Sequence, residues 1–354
     1  MVWNALSCAT ENSTIFKQGK AHGRIPNTTC ILFFCNTYSG LEWYCYIVIM
    51  FFSLVLLLGF LGNTFTLLYY ICTWRSWTSS SIFLFNLALC DFTWILLIPF
   101  AVYYHLHKRA TYSTQLFCQF KRTFFAINIY GSIYFLTLIS FDRYVGAAHP
   151  IRSFKRWDKS KAAFCAMAVW IVILTESIPD VYYTFAVQRG MGSVACLDNI
   201  GETLYFVIPF TIFRLLFGFL IPLLIIFTCY TLTLNVLRKM TNHQQRRQRI
   251  VKPLVLVSAA MIVFVVAFIP YHVMILAVLI YRMKYQLNAD NIHLIFSIYK
   301  FTEIICSVSS SLNPFIFMLA SKKFQEKFKT LRCSLKQRCL CCQSHRVRDI
   351  ATEL

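Results

Sequence analysis

A chain of 354 residues that is 58% hydrophobic and 17% aromatic but only 14% charged is too apolar for a soluble domain of its length, so the lipid bilayer is its solvent. Much of the formal charge of +20 sits in short basic clusters beside apolar runs. That placement suits anionic lipid headgroups and not nucleic acid, because no soluble domain is left to carry a duplex-binding face.

Residues 1–42 are polar and mixed. They lack a basic start followed by a compact apolar core, so they do not resemble a cleaved secretion signal, and the first span is expected to target the chain. Asn12-Ser13-Thr14 and Asn27-Thr28-Thr29 satisfy the glycan acceptor rule. Residues 43–319 then form a membrane bundle. A helix crossing roughly 30 Å of hydrocarbon needs about 20 apolar residues at 1.5 Å each. Seven segments reach that length: Tyr44 to Ile71, Ser80 to Tyr104, Thr123 to Phe141, Ala162 to Phe185, Leu204 to Leu237, Leu254 to Ile280 and Ile292 to Leu319. The predicted fold is an all-α membrane protein, a seven-helix transmembrane bundle. Lys and Arg crowd three places: Arg152 to Lys161, Arg238 to Lys252, and Lys322 to Lys329. These segments are expected to be cytosolic, which places the N-terminus outside and both glycan sequons with it.

Polar groups deep in the spans carry the functional information, since a charge at the bilayer centre costs on the order of 3 kcal/mol. Asp91 lies mid-span, and Asn63, Ser132, Ser309 and Asn313 fall at similar depths when the helices are aligned by their ends. Such an oxygen-rich cluster suits a sodium ion, a protonated aspartate bonded to the amides, or a satisfied structural network. Asp142-Arg143-Tyr144 ends the third span where apolar sequence gives way to basic. There Arg143 is either held by Asp142 and released to a cytosolic partner, or simply reaches for the headgroups. Among the cysteines, Cys118 opens the third span and Cys196 lies between the fourth and fifth, both on the oxidising side, so a bridge between them would fasten that loop over the bundle. Cys8, Cys30 and Cys35 share the N-terminal segment with their pairing open. Cys333, Cys339, Cys341 and Cys342 lie in the 320–354 tail beside basic residues, which favours palmitoylation over zinc.

Taken in order, Gly62-Asn63, Leu87-Ala88-Leu89-Cys90-Asp91, Asp142-Arg143-Tyr144, Trp170 with Pro179, Pro222 with Tyr230, Phe268-Ile269-Pro270 and Asn313-Pro314-Phe315-Ile316-Phe317 supply one signature per span. With them the chain resembles a rhodopsin-like (class A) G-protein-coupled receptor over nearly its whole length. Phe85 to Leu89, Asn128 to Ile133 and Ile269 to Met274 are similar to the purinergic nucleotide receptors and their relatives for succinate and oxoglutarate. The resemblance implies an extracellular ligand, a heterotrimeric G protein and arrestin as partners, and a swing of the sixth span. It makes Arg143 the G-protein contact, with Asp142 and Tyr144 beside it. Tyr230 would stabilise the released arginine, Phe268 would act as rotamer switch, and Pro222, Pro270 and Pro314 would be inexpensive bends. Phe317 departs from the family's usual tyrosine, and Ile250 stands where some members carry an acidic partner for the arginine.

The same resemblance places basic side chains around an anionic ligand. Arg122 and His272 match that pattern; Ile275 and Glu303 do not. Arg214, Lys300 and the first outer loop (His105, His107, Lys108, Arg109) add positive charge. The main expectation is a small anionic metabolite or nucleotide-like ligand. The alternative pairs Glu303 with Lys300 or Arg122 and leaves a neutral pocket lined by Tyr103, Tyr104, Phe125 and Tyr271 for a lipid or amphiphile. A non-signalling decoy or scavenger is a further reading.

An opsin is disfavoured because Ser307 sits at the retinal-lysine position, a transporter or channel because no repeated halves or pore ring is visible, and an enzyme because no nucleophile–base pair or metal motif stands at workable spacing. In the tail, Phe324 and Phe328 within Lys322 to Lys329 suggest an amphipathic helix on the membrane surface, and Thr352-Glu353-Leu354 suits a PDZ domain.

Overall fold

The computed structural model describes residues 42–100, 102, 112–148, 158–190, 208–239, 244–284 and 289–320. Expectations for Cys8, Asn12, Asn27, Cys30, Cys35, Tyr103, Tyr104, the first outer loop, Cys196, the tail helix, Cys333, Cys339, Cys341, Cys342 and the PDZ motif lie outside the described residues. So do the side chains of Cys118, Arg122, Ile250, Lys300 and Phe317.

Seven long helices follow one another: α1 (Glu42–Cys72), α2 (Ser79–Ile95), α3 (Tyr112–Ala148), α4 (Lys159–Gly190), α5 (208–239), α6 (Gln244–Lys284) and α7 (Ala289–Ala320). Six of them carry described stretches long and apolar enough to cross a bilayer, and α7, at 32 residues, has the length to do so. Several helices outrun the spans expected from hydropathy. α3 begins well before Thr123 and α6 well before Leu254, because a helix persists through polar residues once its middle is packed. The second span, expected to continue to Tyr104, is described as an apolar span to Phe100, with its winding interrupted after Ile95 and resumed at Ile98. Leu97 N–H turns back to the Trp94 carbonyl at 2.9 Å, just ahead of Pro99, whose ring nitrogen cannot donate to the Ile95 carbonyl.

Local chemistry sets the helix ends. Thr78 caps α2 by accepting from Ser81 N–H at 3.3 Å, and Asp158 accepts from Lys161 N–H at 3.0 Å at the start of α4. Packing then places α3 at the centre, against α2, α4, α5, α6 and α7, with 72% of its apolar window buried against 22% for α5. Trp170 on α4 donates to Asn86 Oδ1 on α2 at 2.8 Å and its ring lies 6.2 Å from that of Phe135 on α3, so three consecutive helices are clamped together. Gly131 of α3 lies against α2; a Cβ there would lie 2.6 Å from Cys90 Sγ. Small residues at helix crossings are how membrane bundles gain contact when lipid is as apolar as the side chains.

The outward faces repeat with a seven-residue spacing: Leu54, Leu61 and Leu68 on α1, Phe164, Ile171 and Ile178 on α4, Phe217 and Leu224 on α5 are exposed. Apolar surface of that extent would be untenable in water and is the expected coat of a bundle in hydrocarbon.

Gly131→Val should therefore cost about 1–3 kcal/mol by overpacking. Gly146→Ala, where a Cβ meets nothing within 4 Å, should be neutral or stabilise by up to about 1 kcal/mol through helix propensity. Thermal melting of the detergent-purified proteins measures both, and equal melting temperatures would contradict the close α2–α3 approach.

Candidate functional site

Asp91 is fully buried on α2. Its Oδ1 accepts from Asn128 Nδ2 at 3.0 Å and Ser132 Oγ at 3.1 Å, both on α3, and its Oδ2 accepts from Asn313 Nδ2 on α7 at 2.9 Å. Asn128 Oδ1 in turn accepts from Ser310 Oγ at 3.1 Å, and the Ser310 carbonyl accepts from Asn63 Nδ2 of α1 at 3.1 Å. One polar network therefore joins α1, α2, α3 and α7. Of the expected members, Asp91, Ser132 and Asn313 meet directly and Asn63 joins through the backbone of residue 310. Ser309 is a correction: its hydroxyl donates to the Cys306 carbonyl at 2.7 Å, inside its own helix, and Ser310 takes its place. One residue turns a helix by about 100°, so end-to-end alignment finds the depth but not the face. Asn128 was legible only as part of a family motif. Asn63 Oδ1 is buried with no hydrogen-bond partner among the described residues. The Asp91 carboxylate and the Ser132 and Ser310 hydroxyls are oxygen donors of the kind a hard cation such as sodium takes.

Toward one end of the bundle lies the Asp-Arg-Tyr sequence. Ser80 Oγ of α2 donates to Asp142 Oδ2 at 2.5 Å, and Arg143 Nε lies 3.9 Å from the same oxygen. Asp142 is largely covered and Arg143 about one-third exposed, so the arginine is only loosely held by its neighbour. Tyr144 and Tyr230 are half-buried, and Pro314 is buried. Phe268 is fully packed, with its ring 5.0 Å from Phe264 in an edge-on contact, and Pro270 is half-buried above it.

At the opposite end, Lys121 Nζ of α3 forms a salt bridge with Glu303 Oε1 of α7. The Glu303 side chain is buried, whereas Lys121 retains partial exposure and lies 5.9 Å from the centroid of the Trp94 ring. Sequence favours Lys300 or Arg122 as partners for Glu303 and passes over Lys121, one position from the family's arginine. Trp94 Nε1 donates to Ser307 Oγ at 3.0 Å, and its ring packs 4.7 Å from Phe125, which meets Tyr271 edge-on at 5.6 Å. Phe125 and Tyr271 thus share one aromatic wall below the Lys121–Glu303 pair.

Two expected ligand contacts are differently employed. His272 is 3% exposed; its Nδ1 lies 2.8 Å from the Phe268 carbonyl and its ring stacks on Phe219 at 4.0 Å, while its buried Nε2 has no hydrogen-bond partner among the described residues. Arg214 donates from Nη2 to the backbone carbonyl of Glu176 on α4 at 2.6 Å and covers the Tyr130 and Phe210 rings. Sequence reading missed Glu176 altogether, although an acidic residue inside an apolar span was the signal that had singled out Asp91.

A helical bundle centred on its third member, an aspartate bonded across three helices, an Asp-Arg at one end and prolines in α4 to α7 together define a membrane receptor. The family model for "7 transmembrane receptor (rhodopsin family)" matches residues 62–317, and the chain belongs to that family: it is a class A G-protein-coupled receptor, which links an extracellular ligand to a heterotrimeric G protein. It is similar to purinoceptor 1 of Meleagris gallopavo, 31% identical over 91% of this chain and 88% of the relative, and to purinoceptor 1 of Homo sapiens, 28% identical over 92% and 89%. Lysophosphatidic acid receptor 6 of Mus musculus is 25% identical over 81% of this chain and 84% of its own length.

Ser310→Ala should cost about 0.5–2 kcal/mol by leaving Asn128 Oδ1 buried without its donor. Ser309→Ala should cost less, since its acceptor lies within the same helix. Melting temperatures of the two purified variants test the order, and the reverse order would return residue 309 to the network.

Proposed function

We propose that this receptor sits in the plasma membrane with its N-terminus outside and the Arg143 end in the cytosol, and that it responds to a small extracellular anion of nucleotide type. The observation that carries the ligand class is the Lys121–Glu303 pair: a cation with partial exposure, resting on an aromatic face and held by a buried carboxylate on another helix. The similarity to purinoceptors supports the same reading, since a purinoceptor by name takes purines.

A phosphate or carboxylate arriving at that end competes with Glu303 for Lys121, while Trp94, Phe125 and Tyr271 offer flat apolar faces for the rest of the ligand. Exchange of the Lys121 partner loosens α3 from α7. Because α3 and α7 also share the Asp91 network, the change reaches Asn313 and Pro314, and then Arg143, which leaves Asp142 for the G protein. A sodium ion held by Asp91, Ser132 and Ser310 would stiffen the resting arrangement of that network. Arrestin, a PDZ partner through residues 352–354, glycans at Asn12 and Asn27, palmitoylation at Cys333, Cys339, Cys341 and Cys342, and a Cys118–Cys196 bridge complete the proposal.

A lipid ligand is the second reading, favoured by the same aromatic wall and by the relative named for lysophosphatidic acid. Nucleotides, dicarboxylates and lysophospholipids tested on one reporter line separate the two. In that assay Glu303→Gln should sharpen the response to soluble anions by roughly tenfold, about 1.4 kcal/mol, because Lys121 no longer has to be won from a carboxylate. Lys121→Gln should lose the response. A panel in which only lysophospholipids act would replace the nucleotide reading. Arg143→Ala should abolish G-protein activation while the receptor still reaches the surface; retained activation would remove Arg143 from its role.

A further inference from the structure

Glu176 is an ionisable side chain inside α4 that belongs neither to the Glu303 end nor to the Asp-Arg-Tyr end. It is 6% exposed. Its Oε1 accepts from the Tyr134 hydroxyl of α3 at 2.7 Å, its Oε2 has no hydrogen-bond partner among the described residues, and its backbone carbonyl accepts from Arg214 of α5 at 2.6 Å. The Arg214 guanidinium also lies 5.3 Å from the Tyr130 ring centroid and 4.2 Å from that of Phe210. One polar knot thus joins α3, α4 and α5.

Arg214 is also the first residue of a π-wound segment, Arg214–Leu220, closed by Ile221 N–H bonding to the Leu216 carbonyl and followed by Pro222. A π-winding is less favourable than the α-helix it interrupts, so tertiary contacts must hold it. Two do so at its start and middle. Arg214 is tied to the α4 carbonyl, and Gly218 lies against Tyr130 so closely that a Cβ would fall 2.7 Å from a ring carbon. Beyond Gly218, Phe219 stacks on His272 at 4.0 Å and on Phe264 at 6.1 Å, and Phe264 meets Phe268 edge-on. The knot on α4 therefore connects, through Arg214 to Phe219 of α5, to the aromatic core of α6.

We propose that Arg214 is a positioning residue of the signalling switch: bonded to the Glu176 carbonyl it holds α5 in the π-wound register that keeps the receptor at rest, and its release favours the G-protein-engaging state. Rewinding one π-turn as α-helix rotates the chain beyond it by about 100° and shifts it by about 1.5 Å, and Tyr230 travels with that part. Two registers separated by a discrete step make a bistable element, which a bond at one end biases. The proposal concerns the set point of the switch and stands whatever ligand the Glu303 end takes.

Agonist-independent G-protein activation, measured in cells with sensors for each Gα class at matched surface receptor density, is the test. Arg214→Ala should raise it at least threefold. Arg214→Lys, which keeps a donor on a shorter reach, should give a smaller rise. Gly218→Ala, which pushes the π segment off Tyr130 without touching a charge, should rise in the same direction. A role confined to folding would lower surface density and leave activity per receptor flat. The proposal is overturned if Arg214→Ala and Gly218→Ala match the unmodified receptor or fall below it per surface receptor, or if neither reaches the surface while Arg214→Lys shows unchanged activity.

Discussion

Three carboxylates lie in the apolar layer among the described residues, on α2, α4 and α7, and α3 provides a partner for each: Asn128 and Ser132 for Asp91, Tyr134 for Glu176, Lys121 for Glu303. Hydrocarbon offers no water to a buried charge, so each of these groups would be prohibitive alone and is tolerable only where another helix brings a donor. The bundle is therefore assembled around α3 by polar necessity as well as by fit. Its high burial, the glycine at its crossing with α2 and its contact with five other helices are consequences of the same requirement.

On the proposed function, a signal crosses the membrane by changes of partner along α3. The Lys121–Glu303 pair, the Asp91 network and the Asp142–Ser80 bond are stacked along one helix. Each joins α3 to its neighbours at a different level, and a change of partner at one level alters the packing that the next level depends on. Around this rigid post the more loosely bonded helices carry the bends: Pro179 in α4, Pro222 beside the π-wound stretch of α5, Pro270 in α6 and Pro314 in α7 each remove a backbone hydrogen bond where a kink is then inexpensive. The hub resists and its surroundings yield, which is the division a two-state receptor needs.

The polar framework of the site is legible in the sequence. Asp91 announced itself by its cost, and Asp142-Arg143-Tyr144 by lying where apolar sequence turns basic. What was not legible was which side chain faces which. Ser309 and Ser310 are indistinguishable by hydropathy or depth, yet one bonds within its helix and the other across to α3. Lys121 and Arg122 are adjacent cations of which sequence favoured the second. Sequence likewise does not show that Arg214 bonds the Glu176 carbonyl or that the His272 ring stacks on Phe219.

Sequence by itself determined the solvent, the helical spans and the polar positions that cannot be left alone in lipid, because hydrophobicity and desolvation cost are properties of single residues and short windows. Only the tertiary structure decided the pairings, the π-wound register of α5 and the central place of α3. These depend on helix rotation and approach, where a single residue step changes the facing direction by about 100° and so exchanges one partner for another.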